Sequence, residues 1–261
     1  VKIAAFDSGI GGLTAVAPLL KYISGLEITY LGDLANLPYG TKSPERIRAL
    51  AQANADWLLA SDRFDLFVVA CNTASARALD LCNETARRHG TRAVGVIDPG
   101  CRRALALKAQ RIVVLATGAT VESGAYPARL RELGFQGEIR QQACPLFVPL
   151  VEDDLLEGAA VDEIVRRYLD PVVQTGDAVI LGCTHYPILS HALARAYPSV
   201  SWIDAGGALL AENVVRAGPG PSKLRLLFTD SVGDGSRVHR FLERTGLEGL
   251  DAKIEIVPPV V

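Results

Sequence analysis

Leu66-Phe67-Val68-Val69-Ala70-Cys71-Asn72-Thr73 passes from an uninterrupted apolar run into a polar turn, with a helix start expected beyond it. A short run of this kind predicts a strand buried on both faces, and such strands belong to sheets covered by helices on each side. The pattern returns more than a hundred residues later, where Ala178-Val179-Ile180-Leu181 runs into Gly182-Cys183-Thr184-His185 and a second helix start is expected. Further apolar runs stand at Ile3–Phe6, Ile28–Leu31, Ala93–Val96 and Ile112–Leu115. Amphipathic stretches such as Ser43 to Leu59 and Val161 to Val173 lie between the runs, the first opened by the helix-start signal Ser43-Pro44-Glu45. This alternation predicts βαβ units and an α/β fold.

The echo of Cys-Asn-Thr (71–73) in Cys-Thr-His (183–185) hints at internal pseudo-symmetry. Two similar domains are expected, each a mostly parallel sheet flanked by helices, with the active site in the cleft between them. Residues 1–97 with 206–261 would form the first, on the Asp7 and Cys71 side. Residues 98–205 would form the second, on the Glu152 and Cys183 side.

Composition narrows the function. The 261 residues are 49% hydrophobic, enough for a large buried core, and the formal charge of −2 gives no basic field of the kind nucleic-acid binders carry. No run approaches the ~18 apolar residues of a membrane span. The first residues lack the architecture of a signal peptide. Neither nucleic acid nor membrane is therefore an expected partner. Five cysteines, odd in number and without C-x-x-C spacing, argue against a disulfide framework and a zinc ribbon, so a reducing cytoplasm is the expected setting.

Ligands of open α/β sheets bind outside the carboxyl ends of the strands. Four such ends carry polar residues: Asp7-Ser8-Gly9, Pro38-Tyr39-Gly40-Thr41, Cys71-Asn72-Thr73 and Gly182-Cys183-Thr184-His185. The first resembles a dinucleotide fingerprint, but its third glycine would fall at Thr14, and Asp7 would repel a pyrophosphate. Ser8, Asn72, Thr73 and Thr184 are each plausible helix caps. Together they describe a pocket for a small, polar, anionic molecule. Cys82, Cys101 and Cys144 read as small buried hydrophobes. Cys71 and Cys183 differ, because a strand-to-helix junction favours a reactive thiolate.

Phe6–Thr14, Leu37–Ser43, Ala70–Ala74, Pro145–Glu152 and Leu181–Pro187 together resemble the cofactor-independent aspartate/glutamate racemase family, in family order across most of the chain, and 227–234 is a looser match. His185 favours glutamate over aspartate within that resemblance. The resemblance implies that Cys71 and Cys183 are the catalytic acid/bases, with Asp7 and His185 as polar neighbours and Glu152 as a further site carboxylate. It implies that Asp7, Ser8, Pro38, Tyr39, Gly40, Asn72, Thr73, Thr117, Thr184 and His185 surround the substrate beside the two thiols. Ala116-Thr117-Gly118-Ala119-Thr120 departs from the expected Gly-Thr-x-x-Thr. It further implies no cofactor, no metal, a homodimer, and D-glutamate supplied to peptidoglycan synthesis and so to cell-wall biogenesis and cell shape.

The residue types suit that chemistry. Racemisation must take a hydrogen from one face of a carbon and return one to the other, so two opposed groups are needed. A thiol's ordinary pKa of ~8.5 allows one to act as base and the other as acid near neutrality. Three rival readings remain at this point. A thiol hydrolase or acyltransferase would use Cys183 with His185 as base. A metal site would recruit Cys71, Cys183 and His185. A binding protein would close on an amino acid without chemistry.

Overall fold

Ten strands assemble into two all-parallel sheets in a computed structural model, which describes residues 1–212, 216–250 and 252–260. The strands are β1 (Lys2–Asp7), β2 (Glu27–Gly32), β3 (Leu66–Val69), β4 (Ala93–Gly95), β5 (Arg111–Ala116), β6 (Glu138–Ala143), β7 (Ala178–Gly182), β8 (Ser201–Ile203), β9 (Lys223–Phe228) and β10 (Ala252–Ile256). The first sheet has the order β10-β9-β2-β1-β3-β4 and the second β6-β5-β7-β8. All six apolar runs read from the sequence form strands, the run at Ala93 closing one residue early at Gly95. This is the expected α/β architecture of two parallel sheets flanked by helices.

Side chains alternate across each strand, and the core divides accordingly. Ile3 and Ala5 of β1, Leu66 and Val68 of β3, Val113 and Leu115 of β5, and Val179 and Leu181 of β7 share one buried cluster. Ala4, Phe6, Phe67 and Val69 point the other way, onto Ile47, Leu50, Ala51 and Leu58 of the helix Pro44–Ala60. Ile112, Val114 and Ile180 meet Ile97, Cys101 and Ala104 of the helix Ile97–Ala106. The junction expected near residue 98 thus falls inside a helix that packs under the second sheet.

Local signals explain most element starts. Ser43 caps the helix Pro44–Ala60, its hydroxyl accepting from Arg46 N at 3.3 Å with Pro44 in the first turn, as the sequence predicts. Thr117 and Asp204 likewise cap the helices Gly118–Ser123 and Ala205–Ala211. One expectation is corrected. Cys71 does cap the seventeen-residue helix Asn72–Arg88, but Cys183 does not open an α-helix. It leads into a 3₁₀ turn, Tyr186–Leu189, with Tyr186 N donating to Cys183 O at 3.1 Å and Ile188 N to His185 O at 3.1 Å. Pro187 has no N–H to give, which favours this tighter start.

Candidate active site

The carboxyl ends of β1, β3, β5 and β7 border a common cavity of about 310 Å³. Ser8, Pro38, Tyr39, Gly40, Cys71, Asn72, Thr73, Thr117, Glu152, Cys183, Thr184 and His185 line it. Asp7 is absent from that lining. It is fully buried, with Oδ1 accepting from Gly9 N at 2.9 Å and Oδ2 from Thr184 Oγ1 at 3.2 Å. Burial raises its pKa, against the positive charge of His185 and these hydrogen bonds. Asp7 therefore ties the first loop to the Cys183 loop from behind the cavity wall.

Glycines let those loops approach. A Cβ on Gly11 would lie 2.5 Å from His185 Nδ1 and 2.7 Å from Thr184 Oγ1, and one on Gly40 would lie 2.7 Å from Thr117 Cβ. In both places a glycine of the first-sheet segment meets side chains that follow strands of the second sheet. Only the missing side chain permits this contact.

The two thiols have different surroundings. Cys71 Sγ donates to Ser8 Oγ at 3.6 Å and accepts from Ala74 N at 3.4 Å. Its place at a helix cap predicts an acidified thiol, yet burial, followed by the charge of Asp7, pushes it up to about 12. Desolvation outweighs the helix terminus here, and Cys71 rests as a thiol. Cys183 and His185 border the cavity together, and His185 Nε2 lies 2.6 Å from Glu152 Oε1. Burial alone would lower the imidazole pKa, but hydrogen bonds with Cys183 and Glu152 and their charges prevail and raise it to about 10. Burial likewise works to raise the Glu152 carboxyl, and the hydrogen bond and charge of His185, with the charge of Arg237, bring it below the usual carboxylate range.

The folded pKa of His185 lies above the ~6.5 of an unfolded chain, so its charge contributes stability that is complete below pH ~6.5 and lost as pH rises through about 10. The urea midpoint of the unaltered protein should exceed that of His185→Asn by a margin that shrinks across that window. A margin independent of pH would contradict a charged imidazole.

Polar residues close the rest of the wall. Thr73, Thr117 and Thr120 form a triangle of hydroxyls with sides of 3.0, 3.0 and 3.2 Å. Asn72 Oδ1 accepts from Tyr126 OH at 2.6 Å, while its buried Nδ2 has no protein partner. An unpaired donor on a cavity wall suits an acceptor brought by a ligand. Tyr39 OH donates to the buried Asp33 at 2.7 Å, which fixes the ring against the cavity. Among the described residues no group of three or more His, Cys, Asp or Glu side chains is arranged to hold a metal ion.

Several wall residues escaped the sequence reading. Leu37, Pro145, Val148 and Pro149 lie within segments that carry the family resemblance and were within reach of it. Cys144, read as a bland core residue, is buried but also borders the cavity. Outside the wall, Arg237 beside Glu152 and Phe241 against the His185 ring carry no sequence signal.

The sequence and the fold have counterparts among known proteins. The family model described as Asp/Glu/Hydantoin racemase matches residues 21–212, and the chain belongs to that family. Among its relatives, a glutamate racemase of Aquifex aeolicus is 41% identical over 235 residues, covering 88% of this chain and 89% of the relative. The crystal structure of glutamate racemase from Francisella tularensis in complex with D-glutamate superposes with a TM-score of 0.84 at 33% identity, covering 98% of this chain and 97% of that one. A glutamate racemase isoform from Bacillus anthracis gives 0.86 at 30% identity, over 99% and 98%.

Proposed function

We propose that this protein interconverts L- and D-glutamate by a two-base mechanism in which Cys71 and Cys183 exchange protons with the α-carbon from opposite faces. The observation that carries the reading is that both thiols border one cavity, Cys71 from the end of β3 and Cys183 from the end of β7. The bound D-glutamate of the Francisella relative supports the substrate.

In the L-to-D direction Cys183 takes the α-proton, its negative charge balanced by the adjacent imidazolium, and Cys71, resting as a thiol, gives a proton to the other face. In the reverse direction the roles exchange. The carbanion between the two steps is the costly species, stabilised by placed donors and by exclusion of water. Asn72 Nδ2, the threonine hydroxyls and the backbone N–H groups of the Asn72–Arg88 helix are the donors available on the wall. Glu152 and His185 serve the Cys183 half, Asp7 steadies the loops behind both, and Ser8, Pro38, Tyr39, Gly40, Thr73, Thr117 and Thr184 hold the substrate. The scheme uses no cofactor. Residues 1–97 with 206–261 and residues 98–205 act as two domains that meet at the cavity, in a cytoplasmic homodimer.

Deuterated water tests the mechanism. Starting from L-glutamate, the first-formed D-glutamate should carry deuterium at the α-carbon, because Cys71 has exchanged with solvent, while recovered L-glutamate stays largely unlabelled. Substantial protium in early product would sink the two-base scheme. The Cys183–His185–Glu152 series favours one second reading, a thiol nucleophile with an oriented base. A covalent acyl adduct on Cys183 would support it.

A further inference from the structure

Behind Cys183 stands a helix, Ser236–Thr245, that no motif connects with the site. Arg237 Nη1 lies 3.1 Å from Glu152 Oε2. Phe241, one turn further along the same face, meets the His185 ring edge-on with centroids 5.9 Å apart. The other arginines of the helix are turned elsewhere, Arg244 lying 2.5 Å and Arg240 3.9 Å from Asp154. Glu152 is only 14% exposed in its side chain, and its Oε2 accepts no hydrogen bond, so Arg237 acts on that oxygen as a neighbouring charge.

We infer that Arg237 is a positioning residue for the Cys183 half of the reaction: by anchoring the outer oxygen of Glu152, it keeps the inner oxygen on His185 and the imidazole against the Cys183 sulfur. The inference rests on the two-thiol reading above. The order of contacts is Arg237 to Glu152 to His185, and His185 borders the cavity together with Cys183, two residues before it. Asp7 faces the same imidazole from the β1 side as a second charge. Among the described residues Cys71 has no comparable series, being held by Ser8 and Ala74 N. Loss of Arg237 should therefore slow proton transfer at one thiol only.

That asymmetry gives a readout that general loosening of the fold would not move. Both directions of a racemisation share one kcat/KM, since the equilibrium constant is one. For Arg237→Met it should fall by up to about fivefold, as suits an ion pair whose arginine is half-exposed. With α-deuterated L-glutamate the isotope effect on kcat/KM should rise, because removal by Cys183 has become the slower step. With α-deuterated D-glutamate it should fall, because return of a proton from Cys183 now limits rather than removal by Cys71. Arg237→Lys should bring both effects back toward the unaltered enzyme. Equal changes with the two enantiomers, or unchanged turnover and isotope effects in Arg237→Met, would overturn the assignment. A failure of the reading beneath it is recognisable separately, as absence of racemisation by the unaltered protein.

Discussion

Replacing either Cys71 or Cys183 by alanine is expected to lower glutamate racemisation by about 10²–10⁴-fold, the scale of losing a positioned acid or base. Each direction needs one thiol to take the proton and the other to supply one, so neither variant should retain a fast direction. The loss is expected without unfolding, because each sulfur borders an existing cavity and its removal enlarges open space rather than creating a new void in the core. Optical rotation of L-glutamate solutions gives the rate, and thermal melting checks the fold. Near-normal turnover by either variant would remove the two-thiol assignment. If Cys71→Ala alone stayed active, the nucleophile reading of Cys183 would take its place.

The second large effect concerns stability. Asp33 follows β2 and is fully buried; it accepts from Tyr39 OH at 2.7 Å, Thr229 Oγ1 at 2.8 Å and Asn54 Nδ2 at 3.0 Å. Asp33→Ala would strip the acceptor from two buried hydroxyls, and at ~1–3 kcal/mol for each orphaned group the cost should reach roughly 2–6 kcal/mol. Denaturant unfolding measures it directly. The same substitution frees Tyr39 and so loosens one wall of the cavity, and KM for glutamate should rise in the folded fraction. Asp33→Asn keeps one acceptor oxygen and should lose less. Equal stability of Asp33→Ala and the unaltered protein would show that water or a repacked neighbour satisfies those donors.

The buried strands of the two sheets were legible because burial on both faces leaves a continuous apolar run. β6 was not, since it lies at an edge and reads Glu-Ile-Arg-Gln-Gln-Ala, mostly polar and nowhere fully buried. β8 is three residues long, and β10 is another partly exposed edge. β9 sits inside the first sheet, but Lys-Leu-Arg-Leu-Leu-Phe interrupts its apolar run with two charges. At the site, the cysteines could be found because strand ends are where ligands bind. What the sequence could not supply was the balance of forces there. It places Cys71 at a helix cap but does not say that burial beside Asp7 outweighs the cap. It places Asp7 at a strand end but not its carboxylate behind the wall. Arg237 and Phe241 are distant in sequence from Glu152 and His185, and no spacing rule links them.

The order in which the chain is made meets the order of the strands unevenly. Every strand of the second sheet comes from one continuous stretch, β5 to β8, whereas β2 must wait for β9, nearly two hundred residues further on, before its outer edge is hydrogen-bonded. During synthesis the second sheet can close while the first still presents an open strand edge, the kind of surface that invites pairing with other chains. The helix that touches Glu152 and His185 follows β9 and is delivered later still. A growing chain therefore has all its strand-end thiols before it has the helix that steadies one of them, so the chemistry is assembled last.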